Sequence, residues 1–139
     1  MEVGIKFPDL DSVLRRVWTG HLMEISVKEL IIEYHKEHIC LGVGGTRVTY
    51  DIGNGLVAKI PLVGNSYNES EAAKSSSSDD LAQSVVVYER GVAILLMEKV
   101  TPVQSDDEIP THLRRWAAKF DCSQVGWTQD GRLVAYDYA

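Results

Sequence analysis

The stretch LGVGGTRVTYDIGNGLVAKIPL, residues 41–62, decides the fold. It opens on glycines at 42, 44 and 45, runs through β-branched and aromatic residues at 46–52, and turns at Gly53-Asn54-Gly55. It ends in an apolar segment at 56–62 that carries one lysine, Lys59. Two alternating segments joined by a turn that tolerates successive positive φ angles are a hairpin signal. A further strand at 38–42 makes three antiparallel strands, with Pro61 at the end of the third or on an edge. Glycines at 42, 44 and 45 can take positive φ and bring backbone close to a bulky anion, and Lys59 can offer a point charge to a phosphate. For steric reasons alone, the same glycines read as an ordinary turn between strands.

Upstream of this stretch the pattern is helical. Leu10, Val13, Leu14 and Val17 follow i, i+3, i+4, i+7 spacing, and Gly20 is a stop signal, so a helix is expected over 9–18. Ser26 stands three residues before Glu29 as a capping box, and Val27, Leu30, Ile31 and Tyr34 form one apolar stripe, which predicts a second helix from there to Glu37. His35 and His38 on its polar face read as a solvated helix end rather than a shared metal site, because no third ligand accompanies them.

Downstream, a helix is expected at 67–75, leading into the serine run 75–78, which reads as a loop. Glu69 and Glu71 on that helix are ion-pair candidates for a buried lysine. Strands follow at 84–88 and 92–97 around Glu89-Arg90-Gly91; the second, VAILLM, is apolar throughout and expected to be central and buried on both faces. Residues 98–109 read as a connector whose acidic cluster, Asp106, Asp107 and Glu108, suits the N-terminus of a helix from Pro110 to Phe120. A hairpin with strands at 124–127 and 132–138 ends the chain. The expected organisation is one α+β domain over 1–139: a helical extension at 1–37, a sheet at 38–100, and a helix with a terminal hairpin at 101–139.

Composition narrows the function. The 139 residues contain 20 acidic against 14 basic side chains, a net charge of −6, so no basic stripe exists to engage a nucleic acid. Cys40 and Cys122 are far apart with no CxxC spacing, which points away from zinc and disulfides and toward a reducing, cytoplasmic setting. No apolar run approaches about 18 residues and no leader pattern opens the chain, so neither a membrane span nor a signal peptide is expected.

Three features stand in a particular order: LGVGG, then the VAK of residues 57–59, then the closing VGWTQDGRLVAYDYA. Over residues 38–139 this order resembles the ATP-binding part of protein kinases and of the short kinase-like proteins of phage and bacterial genomes. The resemblance implies a kinase small-lobe-like antiparallel sheet with flanking helices and a C-terminal hairpin. LGVGGTRV is similar to the family's glycine-rich loop, with Arg47 near the place of its last glycine. Lys59 is similar to the strand lysine that reaches the α and β phosphates, and Glu71, or alternatively Glu69, to the helix glutamate that pairs with it. Glu98 and Val100 fall in the segment that meets adenine with its backbone. Asp137 falls at the magnesium-binding Asp of the family's Asp-Phe-Gly, with Gln124 where the second metal ligand is an Asn.

Departures from the family bear on catalysis. Lys119 occupies the position of the Asp that handles the substrate proton, and the nearby carboxylate, Asp121, is two residues out of place. The end of the chain soon after Asp137 further implies a truncated module without an activation segment or helical lobe. The reading that follows is a non-catalytic kinase-like protein acting by binding another protein, as a phage-encoded modulator or inhibitor of a host factor would. The alternative is a minimal ATP- and magnesium-binding phosphotransferase using Lys59 and Asp137. A third reading, a domain that shares only turn chemistry with kinases, expects an exposed Lys59 and a glycine turn closed on itself.

Overall fold

The computed structural model describes residues 9–18, 21–64, 66–76, 79–118 and 125–136. Helix α1 (Leu10–Leu14) starts at Asp9, whose carboxylate accepts the Ser12 N–H at 2.9 Å and thereby caps the first turn. It is shorter than the expected 9–18 helix: the N–H groups of Arg16 and Val17 donate three residues back, to the Val13 and Leu14 carbonyls at 3.0 and 3.2 Å, and Trp18 N–H donates to the Leu62 carbonyl at 2.7 Å. Helix α2 (His21–Glu37) begins five residues before Ser26, so the capping box lies inside it. Met23 packs with Val27, Leu30, Ile31 and Tyr34 against the core, and that longer stripe overrides the local cap signal.

Strands β1 (Ile39–Val43), β2 (Arg47–Gly53), β3 (Leu56–Pro61), β4 (Ser84–Glu89) and β5 (Val92–Glu98) form one antiparallel sheet in the order β1-β2-β3-β5-β4. Gly53, Asn54 and Gly55 adopt φ of 84°, 57° and 76°, as the turn between β2 and β3 requires. VAILLM of β5 is an inner strand, but β3 holds the centre of the sheet.

Parity along the strands sorts the side chains to two faces. Val48 and Tyr50 of β2, Ala58 and Ile60 of β3, and Val92 and Ile94 of β5 face α1 and α2 and form the main core with Val13, Val27, Leu30 and Ile31. Val57 of β3 and Leu95 and Met97 of β5 belong to a second cluster on the other face, completed by Ala82 and Val134 and joined by Ala72 of helix α3 (Ser66–Ser75). Burial on both faces explains why β3 is apolar almost without interruption. His35 Nδ1 lies 2.9 Å from the Tyr50 hydroxyl, so this histidine packs onto the sheet instead of facing solvent.

A smaller antiparallel sheet joins β6 (Val100–Pro102), β7 (Val125–Thr128) and β8 (Leu133–Ala135) in that order. The expected connector after residue 98 therefore begins with a strand. Gly126 makes this pairing fit: a Cβ there would stand 2.5 Å from both the Thr101 carbonyl oxygen and Val100 Cγ1. The acidic cluster forms its own 3-10 turn, Asp106–Glu108, with the Glu108 carboxylate accepting Gln104 N–H at 2.9 Å, rather than opening the next helix. That helix starts as a 3-10 turn at Thr111–Leu113 and continues as α4 (Arg114–Ala117), shorter over the described residues than the expected 110–120. Among the described residues, no helix is long and apolar enough to cross a membrane.

The β6–β7 contact gives the first testable outcome. Gly126→Ala forces β6 and β7 apart and is expected to cost about 1–3 kcal/mol, as overpacking does, read as a lowered urea midpoint. An unchanged midpoint would mean that the two strands separate without loss.

Candidate functional site

A cleft of about 700 Å3 lies between the β1–β2 hairpin and the segment running from β5 into β6. That volume is in the usual range for small-molecule sites, roughly 300–1,000 Å3. Gly42, Gly44, Gly45, Arg47, Lys59, Glu98 and Val100 all line it, together with Tyr136 at the end of the terminal hairpin. The structure thus brings together the glycines, the lysine and the 98–100 segment singled out in the sequence.

The glycines act differently from the expectation of positive φ: none of Gly42, Gly44 and Gly45 is in the left-handed region. A Cβ on Gly42 or Gly45 would meet no atom within 4 Å. Gly42 pairs with Thr49, after a register shift between Cys40 and Gly42. Thr49 lines the cleft, so the missing side chain at 42 keeps that wall open. The hairpin tip is fixed from two sides: Gly44 N–H donates to the Arg47 carbonyl at 2.8 Å, and the Gly44 carbonyl accepts from the Arg16 guanidinium at 3.3 Å. The turn therefore closes on itself, as the reading of shared turn chemistry alone expects.

Lys59 is 4% exposed, unlike the solvent-facing lysine expected of a mere turn-chemistry likeness. Its position in β3 is opposite Thr49 and Leu95, on the face that meets α3 and the cleft. Its Nζ stands 3.7 Å from Oε2 of Glu71, an ion-pair distance beyond hydrogen-bond reach. Glu71 is fully buried on α3, and its other oxygen accepts from Nη1 of Arg47. The choice between the two helix glutamates is thereby made: Glu69 points outward and accepts from the Tyr88 hydroxyl at 2.5 Å.

Sequence reasoning missed two members of this cluster. Arg47 is 6% exposed and its Nη1 also donates to Asn68 Oδ1 at 3.2 Å. Asn68 is buried, and its amide donates to the backbone carbonyls of Lys59 at 3.0 Å and Ala93 at 2.8 Å. Two signals could have found them. Arg47 has the same strand parity as Thr49, and Asn68 precedes Glu71 by three residues, hence one helical turn on the same face.

At the other end of the cleft, polar contacts hold the β5–β6 segment. Lys99 Nζ donates to Asp51 Oδ2 at 2.7 Å, a bond that, with the Gly53 N–H, holds the Asp51 carboxyl below its ordinary range. Glu98 accepts from Arg132 Nη2 at 2.8 Å, and its own N–H donates to the Gln83 carbonyl at 3.0 Å. Glu98 therefore brings no backbone N–H to a ligand in the cleft.

Lys119, Asp121, Gln124 and Asp137 lie outside the described residues. Among the described residues, no group of three or more His, Cys, Asp and Glu side chains is placed to hold a metal ion. No protein-family model, no curated protein and no solved structure matches this chain.

Removing one partner of a buried ion cluster leaves charge uncompensated in a dry site. Glu71→Ala is accordingly expected to lower the unfolding free energy by about 3–5 kcal/mol in urea titrations. Glu69→Ala should cost under about 1 kcal/mol, the value of one exposed hydrogen bond. Equal effects of the two would contradict the buried placement of Glu71.

Proposed function

We propose that this chain is a kinase-like module that holds a nucleotide in the cleft without transferring its phosphate, and that acts by binding another protein. The observation that carries the reading is the buried Lys59–Glu71 ion pair, with Lys59 and the glycine hairpin lining one cleft of about 700 Å3. Arg47 and Lys59 outweigh the Glu71 carboxylate between them by one positive charge, in a chain whose net charge is −6, and that local excess suits an anionic ligand. Val57 and Met97 line the same cleft and offer apolar contact to a planar base.

Transfer is disfavoured by the sequence itself. A positioned general base contributes about 10²–10⁴ in rate, and Lys119 stands where the family places its Asp. A module that holds a nucleotide without turning it over acts through what its surface recognises, hence the protein partner. Asp137 and Gln124 are the residues that would meet magnesium under this reading, and ATP with magnesium is the ligand to try first.

Isothermal titration with ATP, with and without magnesium, is expected to show saturable binding to the wild type. Lys59→Met should weaken it about tenfold or more, since a charge-assisted phosphate contact is worth about 1.5–3 kcal/mol. A radiolabel assay should detect no phosphate transfer. No heat at millimolar ATP, or binding indifferent to Lys59→Met, would refute the nucleotide reading, and measurable turnover would refute the non-catalytic one.

A further inference from the structure

Helix α3 is poorly equipped to dock by itself. Its ten residues, SYNESEAAKS, fall short of the roughly 12–15 that an isolated helix needs to be even marginally stable. Among its described side chains, apolar contact with the second core cluster comes from Ala72, a single methyl group. Its C-terminal end is tied by Ser75, whose hydroxyl donates to the Ser84 carbonyl at 3.1 Å. On its exposed side Glu69 accepts from the Tyr88 hydroxyl of β4 at 2.5 Å, and its buried polar attachment to the sheet centres on Arg47.

One guanidinium nitrogen of Arg47 donates to both Asn68 and Glu71, residues one turn apart on the same face of α3. Asn68 then passes the connection on to the carbonyls of Lys59 and Ala93. The helix is in this way fastened at once to β2, β3 and β5. Among the described residues, Lys59 approaches Glu71 to 3.7 Å, while Arg47 makes a direct charge-assisted hydrogen bond to this carboxylate.

We propose that Arg47 is the positioning residue of the cleft, a latch that keeps α3 docked without any ligand and so holds Lys59 facing an already assembled site. Lys59 has the separate task of meeting the ligand. The latch is a property of the ligand-free chain. Its consequence for binding alone rests on the reading of the cleft as a nucleotide site.

Hydrogen exchange read by mass spectrometry on the full, ligand-free chain separates the two roles. In Arg47→Met, which keeps bulk and removes charge, peptides spanning residues 66–75 should exchange at least about tenfold faster than in the wild type. Arg47→Lys should restore most of the protection, and Lys59→Met should speed exchange of the same peptides several-fold less than Arg47→Met does. Protection of α3 that survives Arg47→Met, or that is lost equally in Lys59→Met, overturns the latch. Should Arg47→Met fail to fold, Asn68→Ala removes one grip without leaving a charge behind, and unchanged exchange in that variant overturns the proposal as well. With millimolar ATP added, α3 exchange in the wild type should not change, since the helix is already docked; marked slowing there would show that the ligand, not Arg47, docks it. Failure of the wild type to bind ATP would remove the nucleotide reading, while the ligand-free comparison decides the latch independently.

Discussion

The Glu71 carboxylate sits at full burial between two cations carried by neighbouring strands, Arg47 of β2 and Lys59 of β3. Taking such ions out of water costs several kcal/mol each, and the attraction among them offsets this only if the geometry is held. Strand parity supplies that geometry. Arg47 and Lys59 occupy the face of the sheet opposite Val48, Tyr50, Ala58 and Ile60, which pack beneath α1 and α2. A slip of one residue in β3 would push Lys59 into that apolar core, so the ion cluster and the hydrophobic pattern enforce the same register.

From this constraint the cleft follows. With α3 fastened on the same face of the sheet as Lys59, the cleft beside Lys59 opens toward the hairpin, where glycines at 42 and 45 leave space instead of side chains. The opposite wall is set by the passage from the larger sheet to the smaller one. Lys99 N–H donates to the Gly55 carbonyl at 2.8 Å, Lys99 bridges to Asp51, and Glu98 bridges to Arg132. These contacts join β2, the β2–β3 turn and the β7–β8 hairpin around one short segment. On the nucleotide reading, a base would lie against this segment and the phosphates would extend toward Lys59.

Much of the strand pattern was legible in the chain because its signals are local. The Gly53-Asn54-Gly55 turn, the apolar run of β5 and the helix carrying Glu71 all appear near their expected places. Elements that depend on distant partners were not. Strand β6 is three residues long, ends in proline and exists because Gly126 admits it from 24 residues beyond its last residue. The start of α2 was hidden by a capping box that tertiary packing overrides. In the site, Lys59 was legible as a lone lysine in an apolar strand and Glu71 as one of two helix carboxylates able to pair with it, whereas Arg47 and Asn68 were not, since a buried arginine is the rarer outcome unless a carboxylate waits for it. The glycines were read for a conformation they permit but do not adopt.

The most direct test of the account is a crystal structure of the chain with a non-hydrolysable ATP analogue. The account predicts the analogue between the 41–47 hairpin and Val100, with a phosphate oxygen within hydrogen-bond distance of Lys59 Nζ and Glu71 still bound to Arg47. An analogue seated elsewhere, or a cleft filled by the hairpin with Lys59 turned away, would contradict it.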